Sequence, residues 1–390
     1  MRIAISGASG YIGQHLSSFL EGKGYDVIPL GRVLFKEDCF DELCRCVESC
    51  EVVINLAGAS INKRWTEAYK QELYDSRICV TRQLVHAINT RSVKLELFIS
   101  ASAVGYYPAF GEYDEYHDCR GMDFLARLCG AWEEEASACS SDVRLVITRF
   151  GVVLSEDGGA LKEMLRLQRI SRVSVVIGNG QQRFPWISLF DLCRSFGYII
   201  RNRQMRGVVN LVSPDLITQK QLAHTLARAD KIRRIIPLPE FFFRLKFGEG
   251  ASFVTKGQTV HPSKLQESGF TYIYPTIEKL MNITDHHTVP ELDVKRYMGR
   301  WYEIARYENH FERGMTDVTA TYTLLPDGKI RVENEGYKGG VHKKATGRAK
   351  QPDPKNNPGK LKVAFFLWFY ADYYILELDA DYQYAVIGSS

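Results

Sequence analysis

The sequence predicts two domains: an N-terminal α/β domain with a doubly wound parallel sheet, and a C-terminal all-β domain with an antiparallel barrel. Three observations support this prediction. The chain has 390 residues, more than the roughly 100–200 that one compact domain usually holds. Up to residue 281, short β-branched runs alternate with longer amphipathic stretches, which is typical of βαβ units. From residue 291 onward, short alternating strands separated by turns replace that pattern.

The composition is that of an ordinary globular protein. Hydrophobic residues make up 45% of the chain and charged residues 25%, which excludes a disordered or fibrous protein. The 50 basic and 46 acidic residues leave a net charge of +4, a balance that gives no indication of a nucleic-acid partner. No apolar run approaches the ~20 residues of a membrane helix, so no transmembrane segment is expected.

All nine cysteines lie between Cys39 and Cys193. A secreted disulfide scaffold would spread an even set along the chain, so we expect reduced thiols and a cytoplasmic protein. The cluster from Cys39 to Cys50 lacks the paired C-x-x-C spacing of structural zinc sites, and no metal is expected.

The N-terminal region predicts alternating strands and helices. Strands are expected at Arg2–Ser6, Asp26–Leu30, Val52–Leu56, Leu95–Ser100, Leu145–Thr148 and Gly207–Val212, with helical stretches such as Ile12–Glu21 and Glu67–Ala87 between them. This alternation predicts one parallel-sheet domain over residues 1–281. The polar residues 282–290 are expected to be a linker.

A glycine-rich loop follows the first predicted strand and opens the first helix. In Gly7-Ala8-Ser9-Gly10-Tyr11-Ile12-Gly13, the first glycine permits a tight turn, the second lets the backbone approach a pyrophosphate, and the third lets the helix pack on the sheet. The N–H groups at the helix start favour phosphate. We therefore predict a dinucleotide site formed by Gly7, Ser9, Gly10, Tyr11, Ile12 and Gly13. The alternative is a tight strand-to-helix turn with no ligand.

The end of the second strand indicates which dinucleotide binds. A site for NAD(H) would have an acidic residue there to hold the ribose 2′-hydroxyl. This chain instead has Leu30-Gly31-Arg32, and arginine suits a 2′-phosphate. NADP(H) is therefore favoured over NAD(H), the alternative for Arg32 being an exposed residue at a strand end.

The glycine spacing and the motifs that follow it resemble the extended short-chain dehydrogenase/reductase superfamily. The match is closest to its atypical branch of NAD(P)-dependent epimerase family proteins, over residues 1–281. The motifs that carry the resemblance are Asn55–Ser60, Arg64–Thr66, Ser100–Tyr107, Trp132-Glu133, Arg149–Leu154 and Gly178–Gln181. The resemblance implies a Rossmann fold, a small C-terminal lobe over Gly207–Phe270 and a small-molecule substrate.

The same resemblance implies further cofactor contacts. Leu56, Ala57 and Gly58 are expected to lie against the adenosine and ribose, and Arg77 is a candidate for a phosphate contact. The remaining cofactor-binding residues that it implies are Ser100, Gly151 and Val152.

The expected catalytic residues depart from the superfamily pattern. Ser102 falls where the superfamily keeps its catalytic serine, but Leu125 and Cys129 stand at the places of the tyrosine and lysine in its Tyr-x-x-x-Lys dyad. Tyr106 and Tyr107 lie close to Ser102 in the sequence and could supply a phenol from another direction, with Tyr106 as the predicted catalytic residue; aromatic packing is the alternative. Cys129 has no evident base beside it that would make it a nucleophile.

The C-terminal region resembles the bacterial-type lipocalins. Gly299-Arg300-Trp301 resembles the lipocalin Gly-x-Trp signature, and His310–Gly314 continues the similarity. The resemblance implies an eight-stranded barrel over residues 291–390 with a small apolar ligand. Seven strands are predicted: Gly299–Tyr307, Val318–Leu324, Lys329–Glu335, Lys343–Ala349, Lys360–Phe366, Tyr373–Leu378 and Tyr382–Ile387. We expect the last strand and terminal helix to be missing at Ser390.

Three functions are compatible with these features. The first is an NADP(H)-binding oxidoreductase or epimerase acting on a small hydroxyl- or carbonyl-bearing substrate, with Ser102 orienting that substrate. The second is a non-catalytic cofactor-binding or regulatory protein, which the missing dyad favours. The third is a lipid-binding or carrier function in the lipocalin-like half. The sequence-based prediction is the first.

Overall fold

Two compact units, Met1–Ile283 and Thr284–Ser390, make up the structure, which is a computed structural model. It describes residues 1–92, 95–281, 288–306, 314–354, 358–365 and 370–389, with only the backbone of Glu37, Asp372 and Ser389. Several predicted features lie outside the described residues: linker positions 282–287, the lipocalin motif at 310–313, the strand ends Tyr307 and Phe366, and Ser390.

The N-terminal unit alternates strands and helices, as the sequence predicts. Its strands are β1 (Arg2–Ser6), β2 (Asp26–Leu30), β3 (Val52–Asn55), β4 (Leu97–Ala103), β5 (Glu112–Tyr113), β6 (Arg144–Phe150), β7 (Val152–Ser155), β8 (Val173–Ile177), β9 (Trp186–Ser188), β10 (Gly207–Leu211), β11 (Arg234–Leu238) and β12 (Thr259–Val260). Its helices are α1 (Tyr11–Glu21), α2 (Phe40–Glu48), α3 (Glu67–Thr90), α4 (Phe124–Ser137), α5 (Gly159–Ser171), α6 (Leu189–Arg201), α7 (Gln219–Ala229), α8 (Glu240–Phe247), α9 (Ser252–Thr255), α10 (Ser263–Glu267) and α11 (Ile277–Leu280).

A six-stranded parallel sheet in the order β10-β6-β4-β3-β1-β2 forms the centre of this unit. The chain leaves β1 for β2 on one side and returns to β3 on the other. The strand order therefore reverses between β1 and β3, and the carboxyl ends of these two strands flank a crevice. In open α/β sheets, ligands bind at such a reversal point.

Both faces of the sheet are covered by helices, which explains the continuous apolar runs of its strands. Ile3 and Ile5 of β1 pack into the core that α1 and α6 cover, whereas Ala4 belongs to the opposite core beneath α2 and α3. All three side chains are fully buried. Among the described residues, no helix combines the length and the apolar character needed to cross a bilayer.

A small lobe adjoins the sheet. It contains two short parallel pairs, β8 with β11 and β7 with β9. Leu161 and Leu165 of α5 pack in one core with Leu222 and Leu226 of α7. The doubly wound sheet with its lobe confirms the predicted N-terminal fold class.

The C-terminal unit is a curled antiparallel half-barrel. After α12 (Val294–Tyr297), seven strands pair in chain order: β13 (Gly299–Tyr302), β14 (Met315–Leu324), β15 (Ile330–Lys338), β16 (Val341–Lys350), β17 (Lys360–Ala364), β18 (Ala371–Leu378) and β19 (Ala385–Ser389). Tyr297, Ile330, Leu361 and Ile375 form the centre of its core, and Trp301 packs against them. The all-β, lipocalin-like prediction is confirmed.

Candidate cofactor and active site

The glycine-rich loop forms a tight turn at the carboxyl end of β1. Gly7 adopts a left-handed φ of 75°, and the N–H of Gly10 donates to the Gly7 carbonyl at 3.0 Å. A Cβ on Gly7 would lie 2.8 Å from the carbonyl carbon of Leu56. Conformation and close approach both require glycine here.

The start of α1 is shaped to receive an anion. Gly10 is the N-cap and offers no side-chain acceptor to the helix, and both Ser9 and Gly10 are exposed. A Cβ on Gly13 would lie 2.2 Å from the Gly7 carbonyl oxygen, so only glycine lets the helix pack this closely on the turn. Uncapped N–H groups and the positive end of the helix dipole fit a pyrophosphate.

Tyr11 and Ile12 point away from this cradle. The Tyr11 ring packs against Gly158, where a Cβ would lie 2.3 Å from it, and the Tyr11 hydroxyl is buried without a hydrogen-bond partner in the described part of the chain. Ile12 packs against the core under α1. Any contribution of these two residues to a phosphate would therefore come from the backbone.

The end of β2 presents a cation and no carboxylate. β2 ends at Leu30, and Arg32 opens a short 3-10 turn that extends to Phe35. Arg32 is exposed, and no ion pair joins it to another described residue. Nothing lies within 4 Å of a Cβ built on Gly31, so the approach to the Arg32 backbone is open.

The loop after β3 is fixed beside Gly7 by a buried polar network. Asn55 accepts the Ser6 hydroxyl at 2.6 Å and the Ala57 N–H at 3.2 Å. The N–H of Ala59 donates to the Ser76 hydroxyl at 2.9 Å. These contacts hold Leu56, Ala57 and Gly58 in one conformation next to the cradle, where the resemblance places the adenosine and ribose.

Arg77 supports this loop from below. Its guanidinium donates to the carbonyls of Ala59 at 2.9 Å and Leu73 at 3.1 Å and lies 5.3 Å from the centre of the Trp132 ring. Burial lowers the pKa of Arg77. A Cβ on Gly58 would lie 2.9 Å from the guanidinium carbon. Its described contacts are therefore with the loop, not with the glycine cradle.

The three remaining predicted cofactor contacts lie on or between strands. Ser100 is in β4, Gly151 connects β6 to β7, and Val152 begins β7. Ser100 is buried on β4, and its hydroxyl has no hydrogen-bond partner in the described part of the chain. The N–H of Gly151 donates to the Leu211 carbonyl at 3.1 Å and that of Val152 to the Pro185 carbonyl at 2.8 Å. The backbone donors of Gly151 and Val152 are thus used within the fold.

Ser102 belongs to a buried ionic network. Its hydroxyl donates to Glu133 Oε1 at 2.6 Å, and Arg149 donates to both oxygens of that carboxylate at 2.8 and 2.7 Å. The guanidinium of Arg149 lies 3.5 Å from the centre of the Tyr106 ring and 4.7 Å from that of Tyr107. Serine, carboxylate, guanidinium and two phenol rings thus form one cluster at the ends of β4 and β6.

Tyr106 is half-buried within this cluster. Its hydroxyl donates to Asp118 Oδ1 at 3.1 Å. Burial raises the pKa of Tyr106, and Asp118 raises it further, although the neighbouring Arg149 lowers it. A dehydrogenase tyrosine that acts as a base needs a shift in the other direction. The hydroxyl of Tyr107 is buried and shares its hydrogen between two acceptors, the Asp114 carbonyl at 2.9 Å and the Asn210 side-chain oxygen at 3.1 Å.

The positions of the missing dyad lie on α4, beside Ser102. Leu125 is half-buried, 3.4 Å from where a Cβ on Gly105 would lie. Cys129 is buried, and desolvation raises the pKa of its thiol to about 12. Neither side chain can exchange a proton with a substrate near neutral pH. Trp65 and Phe124 pack beside Leu125, so this wall is apolar.

Sequence reasoning missed the role of Glu133. It is only 8% exposed and lies on the same face of α4 as the buried residues Ala126, Cys129 and Ala136. The sequence signal was a carboxylate at a helical position whose neighbours on the same face are apolar. Because buried charges are almost always paired, such a position predicts a buried cationic partner.

Comparison with known proteins identifies the family. Residues 3–211 match the NAD dependent epimerase/dehydratase family, residues 238–282 a domain of unknown function (DUF1731), and residues 292–390 the lipocalin-like domain. Epimerase family protein SH2119 of Staphylococcus haemolyticus is 35% identical over 286 residues, which are 70% of this chain and 95% of that protein. The chloroplastic epimerase family protein SDR39U1 homolog of Arabidopsis thaliana is 33% identical over 296 residues, 71% of this chain and 85% of that protein.

A solved structure agrees with these matches. The crystal structure of human epimerase family protein SDR39U1 (isoform 2) with NADPH has a TM-score of 0.67 and 32% identity, covering 73% of this chain and 98% of the human chain. The fold and the crevice define a nucleotide-binding protein of the short-chain dehydrogenase/reductase type. The chain belongs to the NAD dependent epimerase/dehydratase family and carries a lipocalin-like domain.

Proposed function

We propose that the protein is an NADP(H)-binding oxidoreductase or epimerase that acts on a small hydroxyl- or carbonyl-bearing substrate. The observation that carries the proposal is the glycine cradle. Gly7 and Gly13 have no room for a Cβ, and the uncapped start of α1 lies at the reversal point of the sheet. These are the requirements of a bound pyrophosphate.

Arg32 supports NADP(H) as the cofactor. It is an exposed cation at the end of β2, where a site selective for NAD(H) would have a carboxylate. The human relative crystallised with NADPH supports the same choice. Around a bound dinucleotide, Leu56, Ala57 and Gly58 would line the adenosine side, with Arg77 supporting their loop.

The residues near the reacting end are Ser102 and Tyr106. The nicotinamide of a bound cofactor would supply or accept a hydride. Glu133 holds the Ser102 hydroxyl in one orientation, and a substrate oxygen beside Ser102 would meet a serine fixed in this way. Tyr106 would supply a phenol from the same cluster, since its ring centre lies 3.5 Å from the Arg149 guanidinium.

A second function, cofactor binding without catalysis, is favoured by two observations. Leu125 packs in an apolar cluster and Cys129 is a buried thiol, so the dyad positions hold no group that exchanges a proton near neutral pH. Burial also raises the pKa of Tyr106. Under this alternative, the cradle binds NADP(H) and Ser102, Glu133 and Arg149 are structural.

The lipocalin-like unit is proposed to bind a small apolar ligand. Its curled sheet has Trp301 on the first strand, packed 4.9 Å from the Tyr297 ring centre. A carrier function in this unit is the third alternative. We also propose a cytoplasmic location, because all nine cysteines are free in the structure.

The test is NADPH oxidation, followed by absorbance, against a panel of aldehydes and ketones that includes lipophilic ones. The Ser102→Ala variant should lose turnover while keeping its affinity for NADPH. The matched control is Ser195→Ala, since Ser195 is also buried and its hydroxyl donates to the Leu192 carbonyl within its own helix. Binding without turnover on any compound would favour the second function. No binding of NADPH would overturn the proposal.

A further inference from the structure

Helix α8 exposes a cluster of large apolar side chains. Phe241 is 65% exposed, Phe242 52% and Leu245 61%. Soluble proteins rarely expose adjacent aromatic and aliphatic side chains of this size without a partner. None of the cofactor-cradle or active-site contacts described above involves the side chains of Phe241, Phe242 or Leu245.

The exposed apolar side chains of α8 lie on one side of the helix, with basic residues at both edges of that side. An α-helix turns by about 100° per residue, so Phe241, Leu245 and Phe242 project within a sector of about 100°. Phe247 is buried on the opposite side. Arg244 lies about 60° from one edge of the apolar sector and Lys246 about 40° from the other. The backbone positions of Arg244 and Lys246 therefore flank the exposed apolar face, and the Lys246 ammonium lies 4.9 Å from the centre of the Phe247 ring.

The sequence around this helix is strongly basic. Residues 231–246 contain five basic side chains, Lys231, Arg233, Arg234, Arg244 and Lys246, and one acidic side chain, Glu240. Glu240 lies 3.9 Å from Arg244, a distance at which an exposed pair contributes little. The whole chain has a net charge of +4, and this stretch alone supplies as much.

Hydrogen bonds connect the C-terminal half of α8 to the loop that precedes α3. The guanidinium of Arg64 donates to the Leu245 carbonyl at 2.6 Å, and the N–H of Trp65 donates to the Phe247 carbonyl at 3.1 Å. Trp65 also packs on Gly250 just beyond the helix. These contacts fix the direction in which Phe241, Phe242 and Leu245 point.

We propose that α8 docks the protein on an anionic lipid surface. Its three apolar side chains would enter the boundary between headgroups and acyl chains, while Arg244 and Lys246 reach lipid phosphates beside them. The basic residues from 231 to 234 would add long-range attraction to a negative membrane. The charge favours lipid over a second copy of this chain, because two copies meeting at this face would bring like charges together.

The test is co-sedimentation of the full chain with phosphatidylcholine vesicles, with and without phosphatidylserine. We expect binding to the anionic vesicles that weakens with added salt. The double variant Phe241→Ser/Phe242→Ser should lose roughly tenfold or more in vesicle affinity. The variant Arg244→Gln/Lys246→Gln should lose binding to anionic vesicles as well.

The matched control is Tyr337→Ser/Val341→Ser in the C-terminal unit, since these two apolar side chains are 44% and 56% exposed and belong to neither α8 nor the basic residues 231–234. This control should bind vesicles like the unchanged protein. Absence of binding to anionic vesicles, equal binding to neutral ones, or an equal loss in the control would each overturn the proposal. Concentration-dependent dimers abolished by Phe241→Ser/Phe242→Ser, without vesicle binding, would assign the face to self-association instead. NADPH affinity reports on the cradle separately, so failure of one proposal is distinguishable from failure of the other.

Discussion

The hydroxyl of Ser102 donates a 2.6 Å hydrogen bond to the carboxylate of Glu133, which Arg149 grips with two further hydrogen bonds. The resemblance places Ser102 where the superfamily keeps a catalytic serine beside a tyrosine and a lysine. In this structure the described partner of Ser102 on α4 is a carboxylate that is paired with a guanidinium. The contribution of this network to stability can be measured.

Glu133→Gln is expected to destabilise the N-terminal unit. The side chains of Arg149 and Glu133 are only 5% and 10% exposed, and removing one partner of a buried pair costs about 3–5 kcal/mol. Urea unfolding measures the change. The control is Glu135→Gln on the same helix: Glu135 pairs with Arg82, whose side chain is 62% exposed, and such a pair contributes about 0–1 kcal/mol. Equal decreases in the free energy of unfolding in the two variants would show that the buried Glu133 pair contributes no more to stability than the exposed pair.

Gly13→Ala is expected to damage the cradle. The added methyl would lie 2.2 Å from the Gly7 carbonyl oxygen, and relieving such overpacking costs about 1–3 kcal/mol. Because the start of α1 must move, NADPH affinity should also fall by about tenfold or more. Gly31→Ala is the control, since nothing lies within 4 Å of its Cβ. Thermal unfolding and cofactor titration measure both effects, and an unaffected Gly13→Ala protein would contradict the packing described.

The Cys129 thiol is expected to make stability fall at alkaline pH. Burial raises its pKa from the ordinary 9.0 to about 12. Between these values the folded chain keeps a proton that the unfolded chain loses, so the free energy of unfolding decreases as the pH rises, by up to about 1.4 kcal/mol per pH unit. Cys129→Ala should flatten this slope in urea titrations at pH 9 to 11, whereas Cys119→Ala, which changes an exposed thiol, should not. An identical slope in all three proteins would contradict the burial of Cys129.

Three tyrosines hold the core of the lipocalin-like unit. The hydroxyl of Tyr373 lies 3.0 Å from that of Tyr297 and 2.8 Å from that of Tyr322. Tyr373→Phe leaves two hydroxyls without this partner and should cost about 1–3 kcal/mol of stability. Tyr384→Phe, at a side chain that is 57% exposed, should change stability by less than about 0.5 kcal/mol. Urea unfolding of both variants decides the point.

The sequence predicts the strands because buried parallel strands appear as uninterrupted β-branched runs. The bounds of β1 and β2 agree with Arg2–Ser6 and Asp26–Leu30, and the seven C-terminal strands that were expected are present among the described residues. The pair of β8 and β11 was missed, because β11 is largely exposed and the two strands pair only with each other in the lobe, outside the buried central sheet.

The candidate site was predictable where its geometry is local. The turn from Gly7 to Gly13 spans one loop, and the spacing of its glycines predicts the turn directly from the sequence. The contacts of Ser102 are not local: Glu133 is 31 residues away, and Arg149 comes beside Ser102 only through the register of β4 with β6. No periodicity or motif spacing encodes such a contact.

Binding of NADP(H) by the cradle and Arg32 is measured by titrating the full chain with NADPH and with NADH, followed by nicotinamide fluorescence. We expect NADPH to bind at least about tenfold more tightly, Arg32→Asp to remove most of this preference, and Arg203→Asp, at a side chain that is 83% exposed beside Glu96, to leave it intact. Equal losses for both cofactors in Arg32→Asp would remove the 2′-phosphate role of Arg32, and binding of neither cofactor to the unchanged protein would show that the cradle is not a dinucleotide site.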